Sequence, residues 1–171
     1  MPEELSSLFL SYYSKLIEKE CILLSFERIF GGASRETYKI EVSHDVNKIE
    51  RLILRVTQDS SLIETDQKTE YLAYSAYQDS SVPVPVLLDM SEDSDILGAP
   101  FMLMKELQGA AASPFTPNVY SPHEVELGEQ FWSILGEIAK KEIQEDIFKS
   151  FLSELKEPCW KNELDKWAKV V

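Results

Sequence analysis

The feature that most constrains the fold of this chain is a pair of glycines between two apolar, β-prone runs. Gly31 and Gly32 separate residues 21–30 from residues 37–42. Glycine tolerates positive φ and close backbone approach because it has no Cβ atom, so the pattern predicts a hairpin with a glycine tip. Ser34 adds a hydroxyl to backbone N–H groups that could bind a polyphosphate. The spacing matches neither G-x-G-x-x-G nor a Walker loop, so an ordinary turn is the alternative.

Length, charge and cysteine usage exclude several classes of protein. A chain of 171 residues fits one domain with a sizeable core. Its formal charge of −13 argues against a nucleic-acid or anionic-membrane partner, since both require clustered Lys and Arg. Cys21 and Cys159 lie far apart without metal-type spacing and predict reduced thiols. The start is acidic and no apolar run reaches membrane-spanning length, so we expect a cytoplasmic protein.

Hydrophobic periodicity predicts an α+β chain. Apolar, β-prone runs predict five strands, at residues 21–30, 37–42, 49–56, 84–88 and 100–106. Helical spacing and capping signals predict helices at residues 2–18, 61–78, 143–155, from 121 and from 162. An acidic turn is expected at residues 91–95. The order helix, three strands, helix, two strands predicts a five-stranded antiparallel sheet with one packed helix, followed by a connector and a helical segment.

A cation on a predicted strand and a carboxylate on the next predicted helix could contact one another. Arg55 ends an apolar strand, and Glu70 lies in the middle of the following helix. A helix carboxylate can fix a strand cation that binds phosphate oxygens. The alternative is two surface charges that never touch.

The last predicted strand runs directly into a polar segment. Residues 101–104 are apolar, and Lys105 and Leu107 follow within three positions. An extended segment that leaves a sheet can present backbone C=O and N–H groups to a planar base, with Met104 as a polarizable wall. A plain core strand is the alternative.

In their order and spacing these segments resemble the N-terminal lobe of the aminoglycoside phosphotransferase-like family of small-molecule kinases, which has a protein-kinase-like fold. The segments that carry the resemblance are residues 31–38, 52–55, 70, 82–85, 97–101 and 104–109. The resemblance implies an N-terminal helix at 1–19, a nucleotide-binding N-lobe at 20–108, and a connector with the helical start of an incomplete C-lobe at 109–171.

The resemblance also implies an ATP site. Its residues would be Gly31, Gly32, Ala33, Ser34, Arg55, Glu70, Met104, Lys105 and Leu107. The first four would lie over the phosphates, and Arg55 would bind the phosphates with Glu70 as its partner. We therefore expect an ion pair of Arg55 and Glu70 that faces the glycine-rich turn and that, if partly exposed, stabilises the fold by about 1 kcal/mol or less. Met104 would line the adenine pocket, while the backbone of Lys105 and Leu107 would hydrogen-bond the adenine edge.

The family's catalytic features are missing from this sequence. There is no His-Gly-Asp…Asn loop, and Ala139 stands where the family places a helix-end His. Phosphoryl transfer requires an Asp at the acceptor hydroxyl and magnesium at the phosphates. We therefore expect no catalytic and no metal-binding residue here, a truncated C-lobe, and a small-molecule acceptor only where a complete C-lobe is present. The chain alone should not transfer phosphate.

Two other functions stay open at this point. The chain could be a non-catalytic nucleotide-binding or protein-interaction module, or an α+β domain without a ligand. If the helical tail packs against a larger lobe, its large apolar side chains should be exposed. Those side chains are Phe131, Trp132, Phe148, Phe151, Trp160 and Trp167.

Overall fold

The computed structural model describes residues 2–30, 35–45, 48–57, 67–109, 116–140 and 149. In chain order its elements are α1 (Pro2–Leu16), β1 (Ile22–Ile29), β2 (Arg35–Asp45), β3 (Lys48–Thr57), α2 (Gln67–Ser75), β4 (Leu87–Ser91), α3 (Ser94–Leu97), β5 (Phe101–Lys105) and α4 (Glu124–Lys140). All five predicted strands are present, and the α+β class is confirmed.

The five strands form one antiparallel sheet in the order β1-β2-β3-β5-β4. β3 is the central strand, and β5 inserts between β3 and β4 although β4 precedes it in the chain. Cross-strand partners lie side by side on the same face of a sheet. Arg55 is paired with Thr37 of β2 and Met102 of β5, so these three side chains share one face.

The opposite face carries the main hydrophobic core. Alternate residues of β3, namely Leu52, Leu54 and Val56, are buried there, as period-two alternation requires. α1 packs on this face through Phe9 and Tyr13, whose rings stack with centroids 5.6 Å apart. Burial of these apolar side chains is the principal stabilising contribution to the sheet.

α2 is the predicted packed helix, and it meets the face that carries Arg55. Its first residue, Gln67, is buried and makes two hydrogen bonds to the end of β3. The amide Nε2 donates to the Arg55 carbonyl at 2.9 Å, and Oε1 accepts from the Thr57 hydroxyl at 2.8 Å. These bonds fix the start of α2 against β3. The predicted helix start at 61–66 lies outside the described residues.

Some boundaries differ from the sequence predictions. β4 begins at Leu87, after Pro83 and Pro85, because proline supplies no N–H to a strand ladder. Part of the predicted acidic turn is the helix α3, whose N-cap Asp93 accepts from the Asp95 N–H at 2.9 Å. α4 begins at Glu124, three residues after the predicted start. The helices predicted at 143–155 and from 162 fall outside the described residues, apart from Lys149.

α4 exposes large apolar side chains. Phe131 is 60% exposed and Trp132 is 69% exposed, which confirms the prediction for these two residues. The other four side chains of that prediction are outside the described part of the chain. In that described part, no helix combines the length and hydrophobicity that a membrane span requires.

Candidate functional site

The predicted ion pair between β3 and α2 is present. Arg55 Nη1 donates a hydrogen bond to Glu70 Oε1, with 27% of the Arg55 side chain and 24% of the Glu70 side chain exposed. Glu70 lies one turn after the anchored Gln67, so the same helix face that meets β3 also carries the carboxylate. The glycine-rich segment 31–34 is outside the described residues, and its orientation toward this pair stays a prediction.

A second guanidinium shares the same carboxylate. Arg35 Nη1 donates to Glu70 Oε2, and only 3% of the Arg35 side chain is exposed. The Tyr74 hydroxyl, one turn further along α2, donates to Glu70 Oε1 at 3.1 Å. Glu70 thus joins the start of β2, the end of β3 and the helix α2.

Sequence reasoning missed Arg35. The signal that could have found it is the register of the predicted hairpin, because Arg35 is paired with Thr57 and therefore lies on the Arg55 face. Alternation alone would also have placed it there, since Tyr38 and Ile40 occupy the opposite, buried face. The adjacent glycines indicate a turn, and that signal says nothing about the side chain of Arg35.

The electrostatics of this cluster favour an ionised carboxylate. Burial by itself would raise the pKa of Glu70, but the hydrogen bond from Arg35 and the charges of Arg55 and Arg35 outweigh burial. The net result is a pKa below the ordinary glutamate value. Two guanidinium groups therefore share the Glu70 carboxylate, in a chain whose overall charge is −13.

Of the predicted base-binding residues, Met104 lies further along the same face. Met104 of β5 is buried and paired with Ile53, two residues before Arg55 on β3. The backbone N–H of Lys105 donates to the Val86 carbonyl at 2.8 Å, so of its two backbone polar groups only the carbonyl could bind a ligand. Leu107 follows the end of β5 and is exposed.

A further ion pair borders this part of the face. Lys39 Nζ of β2 lies 2.7 Å from Glu106 Oε1, just after β5. Lys39 is paired in register with Ile53, so the pair spans β3 beside the Met104 position. Sequence reasoning did not single out these two residues.

The described residues contain no group of three or more His, Cys, Asp or Glu side chains that could hold a metal ion. The described face combines cationic and hydrophobic groups: the guanidinium groups of Arg35 and Arg55 lie beside Glu70, and the Met104 side chain lies further along β5.

Comparisons with known proteins place this geometry in a family. The family model described as "Phosphotransferase enzyme family" matches residues 25–162. Mouse acyl-CoA dehydrogenase family member 10 is 34% identical over 89 residues, which are 51% of this chain and 8% of that protein's length. A crystal structure from Ralstonia eutropha JMP134, assigned to the aminoglycoside phosphotransferases, aligns with a TM-score of 0.45 and 21% identity over 65% of this chain and 31% of that one.

This chain thus covers a small part of each of these two proteins. The family match is different, because it extends from β1 to beyond α4 and includes the cluster around Glu70. It spans well over half of the 171 residues. The chain belongs to the phosphotransferase enzyme family.

Proposed function

We propose that the sheet and α2 form the nucleotide-binding N-lobe of a small-molecule kinase and that Arg55 binds the phosphates of ATP. The observation that carries this proposal is the ion pair between Arg55 and Glu70, which fixes a partly exposed guanidinium on the sheet face. Membership of the phosphotransferase family supports it, because ATP with magnesium is the phosphate donor of that family as a whole.

The phosphate end of the site has suitable charge and access. Glu70 orients the Arg55 guanidinium, yet 27% of the Arg55 side chain remains open to an incoming anion. The positive charge of the Arg55 guanidinium attracts phosphate oxygens, and this planar group binds them with directional hydrogen bonds. The segment 31–34 directly precedes β2 and would supply backbone N–H groups to the same phosphates.

The base end of the site lies toward the last strand. Met104 and Ile53 are neighbours on the face that carries Arg55. Ile53 and Arg55 are two positions apart on β3, so their Cα atoms are about 7 Å apart. A base beside Met104 and phosphates at Arg55 would be joined by a ribose across that interval. The Lys105 carbonyl and the Leu107 N–H would then hydrogen-bond the edge of the base.

The transfer step itself needs groups beyond this lobe. Magnesium, when bound with ATP, neutralises charge on the phosphates, and an Asp orients the acceptor hydroxyl. The described residues offer no cluster for a metal, and the sequence contains no His-Gly-Asp motif. We therefore assign nucleotide binding to this chain, and we expect the acceptor to be selected by a C-lobe.

Calorimetric titration of ATP into the purified chain tests the proposal. Arg55→Met removes the guanidinium while keeping an unbranched side chain, and it should raise the Kd for ATP about 10-fold or more. Arg51→Met is the matched control, because Arg51 lies on the same strand and forms its own ion pair, to Glu41 at 2.9 Å. We expect the control to leave the Kd within about twofold.

The absence of ATP binding by the wild-type chain, under conditions where it is folded, would contradict the proposal. Such a result would instead favour the protein-interaction module or the α+β domain without a ligand. Equal Kd values for the wild type and Arg55→Met would show that any bound nucleotide sits elsewhere.

A further inference from the structure

We propose that the Glu106 side chain selects the base of the bound nucleotide by accepting a hydrogen bond from the amino group of adenine. This inference rests on the proposed function and deepens it. It adds one side chain to the backbone groups of Lys105 and Leu107 that would bind the edge of the base.

Glu106 continues the alternation of β5 onto the face that carries Met104. Its backbone N–H donates to the Arg51 carbonyl at 2.9 Å, so hydrogen bonding to β3 extends one residue beyond Lys105. Residues two positions apart on a strand share a face. The Glu106 carboxylate also contacts Lys39, which lies on that face in register with β3. Glu106 is therefore one step past Met104 on the same side of the sheet.

An apolar floor, made of Ile53 and Met104, lies between Glu106 and Arg55. Ile53 is half-buried and is paired in register with Met104. Because β3 and β5 are antiparallel, Arg55 lies beyond one end of this floor and Glu106 beyond the other. Arg55 is four positions along β3 from Arg51, the residue that faces Glu106, which is about 13 Å. A nucleotide with its phosphates at Arg55 can thus extend its base toward Glu106.

The Glu106 carboxylate has unused hydrogen-bonding capacity. Lys39 Nζ lies 2.7 Å from Oε1, whereas Oε2 is shielded from solvent and has no hydrogen-bond donor among the described residues. An ionised carboxylate has about four acceptor sites, and a buried acceptor without a donor is unfavourable. The side chain is 17% exposed, and rotation of the carboxylate can bring either oxygen to that exposed edge. A donor on a ligand can therefore bind one oxygen while Lys39 keeps the other.

This acceptor distinguishes adenine from other purines. An ionised carboxylate accepts hydrogen bonds but cannot donate them. Adenine carries an amino donor at the position where guanine and hypoxanthine carry a carbonyl acceptor. Hydrogen bonds to a charged group are stronger than neutral ones, and two acceptors that face one another repel. Glu106 should therefore favour ATP over GTP and over ITP, the hypoxanthine nucleotide.

The neighbouring ion pair supplies a matched control for the loss of a carboxylate. Glu41 of β2 lies on the same face, and its Oε1 is 2.9 Å from Arg51 Nε. Glu41 is paired in register with Arg51, so it is on the opposite side of β3 from β5. Glu41→Gln removes one negative charge from the face but leaves the acceptor at the end of β5 in place.

Calorimetric titration of ATP and ITP into the purified chain tests the inference. The wild type should bind ATP more tightly than ITP. Glu106→Gln places an amide, which can also donate, at the acceptor position. We expect this variant to reduce the ratio of the Kd for ITP to the Kd for ATP about 10-fold. Glu41→Gln should leave that ratio within about twofold of the wild-type value.

The outcomes separate this inference from the proposed function. If the wild type binds ATP and Glu106→Gln keeps the wild-type ratio, the inference is wrong and the proposed function stands. That conclusion holds whether the two Kd values are unchanged or are raised by the same factor, since a purely structural role would raise both. If the folded wild type binds no ATP, the proposed function fails and the inference fails with it.

A second measurement applies if Glu106→Gln is unfolded by circular dichroism. Purine riboside triphosphate differs from ATP only in lacking the amino group. The wild-type chain should bind this analogue about 10-fold more weakly than ATP. Equal Kd values for the two ligands would overturn the inference in that case.

Discussion

Glu70→Gln is the most informative single change in this fold. The substitution keeps the shape of the side chain but removes the charge that two guanidinium groups share. Removing one partner of a buried ion pair costs about 3–5 kcal/mol, because the other charge stays buried without compensation. Arg35 is almost fully buried, but Glu70 is 24% exposed and glutamine still accepts a hydrogen bond. We therefore expect a loss of about 2–3 kcal/mol in the free energy of unfolding.

This stabilisation should depend on pH in a defined direction. The pKa of Glu70 in the folded chain is below its ordinary value of 4.5, so the unfolded chain binds the proton more readily. The contribution is therefore fully present above about pH 5 and is lost as pH falls through the folded pKa. The difference between wild type and Glu70→Gln should be constant from pH 7 to about pH 5 and should shrink below about pH 4.5.

Urea unfolding followed by circular dichroism measures both effects. A loss of 2–3 kcal/mol corresponds to a midpoint shift of about 1 M urea for a chain of this size. Glu41→Gln is the matched control: it removes a carboxylate from the half-exposed pair with Arg51 and should cost less than about 1 kcal/mol. Equal midpoints for the wild type and Glu70→Gln at pH 7 would refute the reasoning, since the Glu70 charge would then contribute nothing to stability.

Three further predictions follow from the same structure. Tyr13→Phe removes a hydrogen bond of 2.5 Å to Glu50 that fastens α1 to the sheet, and urea unfolding should show a loss of about 1–2 kcal/mol. Leu54→Ala leaves a cavity at a fully buried position of the core and should cost about 2–5 kcal/mol in the same assay. The purified chain with magnesium and ATP should give no phosphorylated aminoglycoside, choline or sugar above background by mass spectrometry; turnover abolished by Arg55→Ala would overturn that expectation.

The sequence predicted the sheet well because its signals are local. Alternation in β3 separates the buried Leu52, Leu54 and Val56 from Arg55, and the structure shows the same separation. The pair of Arg55 and Glu70 was also predictable, since strand and helix order place both on one face. The expectation of about 1 kcal/mol or less for that pair considered only Arg55 and Glu70, and it did not include the buried Arg35.

Other features depend on tertiary contacts that no local pattern shows. The insertion of β5 between β3 and β4 and the packing of α1 against the core face are both tertiary features. Arg35 meets Glu70 across 35 positions of sequence, so only the register of β2 against β3 reveals the contact. The predicted start of β4, at residue 84, was too early, because the apolar pattern around the prolines begins before the hydrogen-bonded ladder does.

The most direct test of the central claim is the Kd of the purified chain for ATP, measured by calorimetry for the wild type and Arg55→Met, with Arg51→Met as the control. The account predicts measurable binding by the wild type, a Kd about 10-fold or more higher for Arg55→Met, and an essentially unchanged Kd for Arg51→Met. Binding that is absent from the folded wild type, or equally strong in all three proteins, would contradict the assignment of this sheet face to nucleotide phosphates.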